Sequence, residues 1–156
     1  MSFNQFKKLH QQNSVLILGN VWDAQSAKLA EAAGFQALGS SSHAIANSLG
    51  YEDGEKIPVE ELLFVIERIV KSVKIPVSVD FESGYSNDPD QVAQFVKKLG
   101  NLGVVGINLE DGKVVKGVRK LEKPEVLVAK IKAIKAKTKK VFVNARIDTY
   151  TTKHKK

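Results

Sequence analysis

Val77-Ser78-Val79-Asp80-Phe81-Glu82-Ser83-Gly84-Tyr85 and, further along, Gly106-Ile107-Asn108-Leu109-Glu110-Asp111 are two apolar runs that each end in carboxylates. Short, β-branched apolar runs of this kind read as buried strands. Carboxylates at the C-terminal ends of two neighbouring parallel strands converge at one mouth of a sheet or barrel. Oxygen-only donors in such a place suit a hard divalent cation.

The chain around these two segments alternates strand and helix. Phe3 to Gln12 carries Phe3, Phe6 and Leu9 on one side and predicts a short helix. Val15-Leu16-Ile17-Leu18 predicts a first strand, broken by Gly19-Asn20, with Asp23 as the cap of a helix over 24–33 that closes at Gly34. Phe35 to Gly39 predicts a second strand, followed by a small-residue loop at Ser40-Ser41-Ser42 and a short helix ending near Gly50. Pro58 opens a strong helix over 59–72, with Leu62, Leu63, Ile66, Ile69 and Val70 on one face. Ile75 to Val79 is the third strand. Asp88-Pro89 starts a helix to Leu99, and Val104 to Leu109 is the fourth strand. A Lys- and Gly-rich loop leads to a helix over 124–136, and Val141 to Ala145 is the fifth strand.

Five such alternations imply parallel βα units. Two architectures fit: an open doubly wound sheet and a (β/α)₈ barrel cut short. No Gly-x-Gly-x-x-Gly follows the first strand, which weakens a dinucleotide-binding sheet. A complete barrel needs about 250 residues, and this chain of 156 residues reads as a single domain over 1–156.

Composition narrows the classes further. A hydrophobic content of 43% and a charged content of 26% suit a globular protein. With no cysteine there is no thiolate zinc site, disulfide or cysteine nucleophile, which fits a cytoplasmic location. The N-terminus lacks a signal-peptide apolar region, and no run is long enough to span a bilayer. The formal charge of +7 comes from lysines after Lys113. Lys130, Lys132, Lys135, Lys137, Lys139 and Lys140 surround Ile131 and Ile134, the pattern of a solvated helix face. No aromatic residues interleave with them, so a nucleic-acid partner is not expected.

Asp80 and Glu82, two apart, share a strand face and can address one cation, Mg²⁺ or Mn²⁺. Glu110-Asp111 ends the next strand in the same way. Arg146 and Asp148 follow the fifth strand, where Arg146 suits either a bidentate anion clamp or an ion pair with Glu110 or Asp80. Ser40, Ser41 and Ser42 offer hydroxyl and N–H groups to an anion. Trp22 suits a core position better than a ligand wall, and His43 reads as structural.

Taken in order, Asn20 to Ala27, Gly39 to Ser42, Ser48 to Gly54, Val79 to Tyr85, Leu109 to Asp111 and Ala145 to Asp148 resemble the isocitrate lyase/phosphoenolpyruvate mutase superfamily. The resemblance implies a TIM (β/α)₈ barrel of which about the first five βα units are present. It implies an Mg²⁺-dependent lyase or mutase that cleaves or rearranges a C–C or P–C bond of a 2-oxo acid, oxaloacetate or phosphonopyruvate for example. By the same resemblance Asp80, Glu82 and Glu110 are the metal carboxylates. Asp53 and Arg146 are the catalytic pair, and Trp22, Ser40, Ser41, Ser42 and Arg146 meet the substrate. The family is commonly oligomeric, so a homo-oligomer is expected, with no membrane partner. Where the lyases of this family carry a Cys-containing loop, this chain has Gly112 to Lys120 without cysteine, which favours the mutase and decarboxylase side. The absence of strands six to eight opens an alternative, a catalytically inactive half-barrel with an oligomeric or vestigial role.

Overall fold

A computed structural model describes residues 2–115, 117–149 and 152. Seven strands and six helices follow one another as α1 (Phe3–Leu9), β1 (Gly19–Val21), α2 (Ala24–Ala32), β2 (Leu38–Ser40), α3 (Ser42–Ser48), α4 (Val59–Ser72), β3 (Val77–Asp80), α5 (Pro89–Asn101), β4 (Gly106–Glu110), β5 (Gly112–Val115), β6 (Val118–Leu121), α6 (Pro124–Lys137) and β7 (Phe142–Arg146). Five strands form one parallel sheet in the order β1-β2-β3-β4-β7, and β5 and β6 form a separate antiparallel hairpin. The chain is therefore α/β, with each parallel strand returning through a helix.

Local chemistry accounts for most of the boundaries. Asp23 caps α2 through a capping box with Ser26, and Asp88 accepts from the Asp90 N–H with Pro89 in the first turn of α5. The apolar stripe of α4 buries Leu62, Ile66, Ile69 and Val70. These residues meet Val77, Val79, Ile107 and Leu109 of the central strands and Val92, Val96 and Leu99 of α5 in one core.

The pleat sends alternate residues to the other face. There the register aligns Asn20, Gly39, Ser78, Gly106 and Phe142 in one row and Asp80, Asn108 and Asn144 in the next. The Asn144 side-chain amide donates to Asn108 Oδ1 across 2.9 Å. The first row is closed from below by Phe6 of α1, which is 1% exposed and packs with Ala37 and Val105. A Cβ on Gly106 would lie 2.5 Å from the Phe6 ring, so glycine is what lets the ring reach the sheet.

Three expectations change. The first strand is Gly19–Val21, not Val15–Leu18; Val15 and Ile17 stand 88% and 68% exposed, because pairing with β2 begins only at Gly19. The Lys- and Gly-rich stretch after β4 is the β5–β6 hairpin rather than a loop. Lys130 is 1% exposed, within the buried side of α6 rather than on its solvated face. Among the described residues no helix is long and apolar enough to cross a membrane.

Candidate active site

Most of the groups singled out in the sequence for chemistry lie at or just beyond the C-terminal end of a strand; Asp53 lies on the loop between α3 and α4. Asp80 closes β3 and is held from two directions. The Ser42 hydroxyl donates to its Oδ2 across 2.9 Å, and its own N–H donates to Ser40 Oγ at the same distance. The other carboxylate oxygen, Oδ1, is buried and has no hydrogen-bond partner among the described residues. Ser41 caps α3, accepting from the Ala44 N–H. The serine loop thus spends two hydroxyls orienting Asp80 and one starting a helix.

The turn after β3 is unusual. Glu82 and Tyr85 have φ of 47° and 60°, on either side of Gly84 at 109°. Side chains rarely adopt such values, and they persist where the surroundings over-determine them. Gly84 N–H donates to the Phe81 carbonyl, and one oxygen of Glu55 accepts from both the Ser83 hydroxyl and the Tyr85 N–H at 2.8 Å. The Tyr85 ring stacks on Phe81, and its hydroxyl donates to Glu82 Oε1 across 3.1 Å. Burial, and then the charge of Glu55, push the Glu82 carboxyl up to about 7. Burial and the neighbouring Glu82 raise the Tyr85 phenol, which stays protonated and acts as a donor.

On the adjoining strands four charges form a closed ring. Glu110, at the end of β4, is bonded by Arg119 on one oxygen and by Arg146 on the other, the latter at 3.0 Å. Asp148 is likewise met by Arg119 at 2.6 Å and by Arg146 at 2.8 Å. Its N–H donates to Asp111 Oδ1 across 2.9 Å. Burial raises the Glu110 carboxyl, while the Arg119 hydrogen bond and the two guanidinium charges pull it back. Of the two roles open to Arg146, the ion pair with Glu110 is the one seen here. The Glu110 N–H also donates to the Glu82 carbonyl at 2.9 Å, which ties the ring to the turn after β3.

Asp53 lies on the loop after α3 with Oδ2 3.6 Å from His43 Nδ1, and its charge is felt at Glu82. Trp22 is 43% exposed beyond the end of β1, outside the core. The geometry thus draws Asp80 to Ser40 and Ser42, and Glu82 and Arg146 to Glu110. Asp53 and Trp22 stand at the periphery of that group. Among the described residues no three acidic or histidine side chains are gathered so as to hold a metal ion by themselves. Glu55 and Arg119 were missed in the sequence. Arg119 sits in a lysine-rich stretch that looked solvated, and Glu55 lies in a polar loop with no strand to place it.

A parallel sheet with its acidic groups crowded at the strand ends, backed by helices on one face, defines a TIM-barrel-type α/β protein. Within that class the chain belongs to the phosphoenolpyruvate phosphomutase family, which it matches over residues 6–156. It is 39% identical over 145 residues to an uncharacterised protein of Mycobacterium tuberculosis, covering 93% of this chain and 53% of that one. Against the 2-methylisocitrate lyase of Aeropyrum pernix it is 30% identical over 147 residues, covering 91% of this chain and 47% of that one. Its fold superposes on the phosphoenolpyruvate phosphomutase of Streptomyces platensis subsp. rosaceus with a TM-score of 0.88 and 25% identity, covering 98% of this chain and 56% of that one. The same fold is seen in a phosphonopyruvate hydrolase in complex with oxalate and Mg²⁺, with a TM-score of 0.88, 24% identity, and coverage of 97% and 54%. The chain therefore spans about half the length of the relatives it matches, and corresponds to part of a barrel.

Proposed function

We propose that this chain carries the metal-binding end of an Mg²⁺-dependent lyase or mutase acting on a 2-oxo acid such as oxaloacetate or phosphonopyruvate, cleaving or rearranging a C–C or P–C bond through an enolate. The observation that carries this reading is Asp80 Oδ1, a buried carboxylate oxygen without a hydrogen-bond partner among the described residues. Buried polar atoms are nearly always satisfied, and each exception calls for an explanation.

The donors present fit a hard cation. Asp80 is held rigidly by Ser40 and Ser42 with one oxygen left over. Mg²⁺ takes one or two carboxylates and completes its shell with water and substrate oxygens, so the absence of a three-acid cage is no obstacle. Asp80 is the direct ligand in this reading, and Glu82 and Glu110 act through water. Both oxygens of Glu110 are already engaged by arginines, which excludes it as a direct ligand in this arrangement. When bound, the cation supplies fixed positive charge against the negative charge that builds on a substrate oxygen. Arg146, held by Glu110 and Asp148 with 37% of its side chain exposed, presents a pre-oriented guanidinium to the substrate anion. The Ser40-Ser41-Ser42 loop receives the substrate carboxylate and Trp22 walls the pocket. Asp53, beside His43, is the group that accepts or returns a proton.

The test is turnover of oxaloacetate and phosphonopyruvate, followed by product formation with and without MgCl₂, in the chain as it stands and in Asp80→Ala. The variant should lose Mg²⁺-dependent turnover by about 100-fold or more. Full turnover by Asp80→Ala at saturating Mg²⁺ would refute the assignment.

A further inference from the structure

Helix α6 carries four lysines along its length, and one of them faces the wrong way for a solvated helix. Lys130 lies on the same side as Leu127 and Ile134 and is 1% exposed, while Lys132, Lys135 and Lys137 remain partly or fully accessible. An ammonium among apolar side chains is strongly unfavourable unless it is paired and hydrogen-bonded. Lys130 meets that demand with two partners from different parts of the chain. Its Nζ donates to the Ser83 carbonyl across 2.8 Å and lies 3.6 Å from Glu122 Oε2.

We propose that Lys130 is a positioning residue, whose buried ammonium fixes the turn presenting Glu82 and Tyr85 and registers that turn against the exit of the β5–β6 hairpin. Ser83 is the centre of the turn, between Glu82 and Gly84, where three of four consecutive residues have positive φ. Such a backbone does not hold itself. Glu55 grips the turn through the Ser83 hydroxyl and the Tyr85 N–H. Lys130 grips the Ser83 carbonyl, so the same residue is pinned at its side chain and at its backbone. Glu122 is the first residue after β6, and its N–H donates to the Asp111 carbonyl at 2.8 Å. Through Glu122 the ammonium therefore touches the strand that brings Arg119 to Glu110. One buried charge thus joins the turn after β3 to the segment that leaves β6. The placement of the turn stands on this geometry alone; its consequence for metal binding rests on the reading above.

The experiment compares amide hydrogen exchange in the whole chain and in Lys130→Met, a side chain of similar length without the charge. The Gly84 and Tyr85 amides, which donate to the Phe81 carbonyl and to Glu55, should exchange at least about tenfold faster, while the Ile66 and Ile69 amides of α4 stay unchanged. The chain has no cysteine, so Lys130→Cys offers a single thiol. Aminoethylation of that thiol in denaturant, followed by refolding, restores an ammonium of nearly the same reach and should restore protection of the two amides. A uniform acceleration across Lys130→Met, or a restored ammonium that protects nothing, would overturn the proposal. If Lys130→Met does not fold, Glu122→Gln carries the test, because it removes the counter-charge and leaves the lysine in place. Selective loosening of Gly84 and Tyr85 supports the proposal, and no selective change refutes it. Calorimetric titration with MgCl₂ then reads the consequence, an affinity lower by about 10–100-fold in Lys130→Met. A parent chain that binds no Mg²⁺ would sink the metal reading and leave the exchange result as it stands.

Discussion

Glu82 holds a carboxyl well above its ordinary range. Its carboxyl is pushed to about 7 from an ordinary 4.5, first by burial and then by the charge of Glu55. The folded chain therefore holds a proton that the unfolded chain releases as pH rises between these values. Stability from this group is fully present below about 4.5 and is lost as pH rises through 7, by on the order of 2–3 kcal/mol. Urea midpoints measured without divalent ions at pH 5 and pH 8 should fall for the parent chain. They should fall less for Glu82→Gln, which keeps the Tyr85 hydrogen bond without the ionisation. Parallel pH curves for the two proteins would show that Glu82 does not titrate in this range.

At the scale of elements, Arg119 ties the hairpin to two strand-end carboxylates of the sheet. Arg119 of β6 bonds both Glu110 and Asp148, two carboxylates exposed by only 3% and 1%. Arg119→Ala removes one arginine from each of these two carboxylates. Breaking a fully buried pair costs about 3–5 kcal/mol, and the 26% exposure of Arg119 lowers the expected loss to about 1–3 kcal/mol. The urea midpoint should drop accordingly, and Arg119→Lys should recover only part of it, since an ammonium cannot span two carboxylates as a planar fork does. An unchanged midpoint in Arg119→Ala would mean that the ring contributes nothing. The elements legible in the sequence were those whose signals are local. Asp23 and Asp88 marked helix starts because a cap bonds within three residues, and α4 showed its stripe outright. The first strand was misplaced because Val15 to Leu18 is the more apolar run, whereas the strand is fixed by where β2 lies. The hairpin was hidden by its lysines, although a glycine, Gly117, lies between two valine-containing runs and has φ of 75°. Asp80, Glu82, Glu110 and Arg146 could be read as strand-end groups from position alone. Their partners Glu55, Arg119 and Lys130 could not, because each reaches its contact across more than eight residues of chain and lies in a stretch that looks solvated.

At the scale of the molecule, the sheet has a chemical end and a packed end, and the packed end is set by one aromatic ring. All the acidic strand ends lie opposite Phe6, whose ring meets Phe142 edge-on at 5.8 Å and His10 at 4.5 Å. It is the only buried side chain of α1, so this short helix is held to the sheet largely by that residue. Phe6→Ala should cost about 3–5 kcal/mol, the range for an aromatic ring removed from a core. Gly106→Ala attacks the same contact from the other side, since the added methyl would lie 2.5 Å from the Phe6 ring and 3.0 Å from Ser78 Oγ. The two changes share one volume, so they should not add. With the ring gone, the Gly106→Ala methyl enters the cavity instead of clashing, and the double variant should be more stable than the sum of the single losses predicts, by about 1 kcal/mol or more. Urea unfolding of the four proteins closes the cycle. Strict additivity would mean that Phe6 does not rest on Gly106, and that α1 is not what closes this end of the sheet.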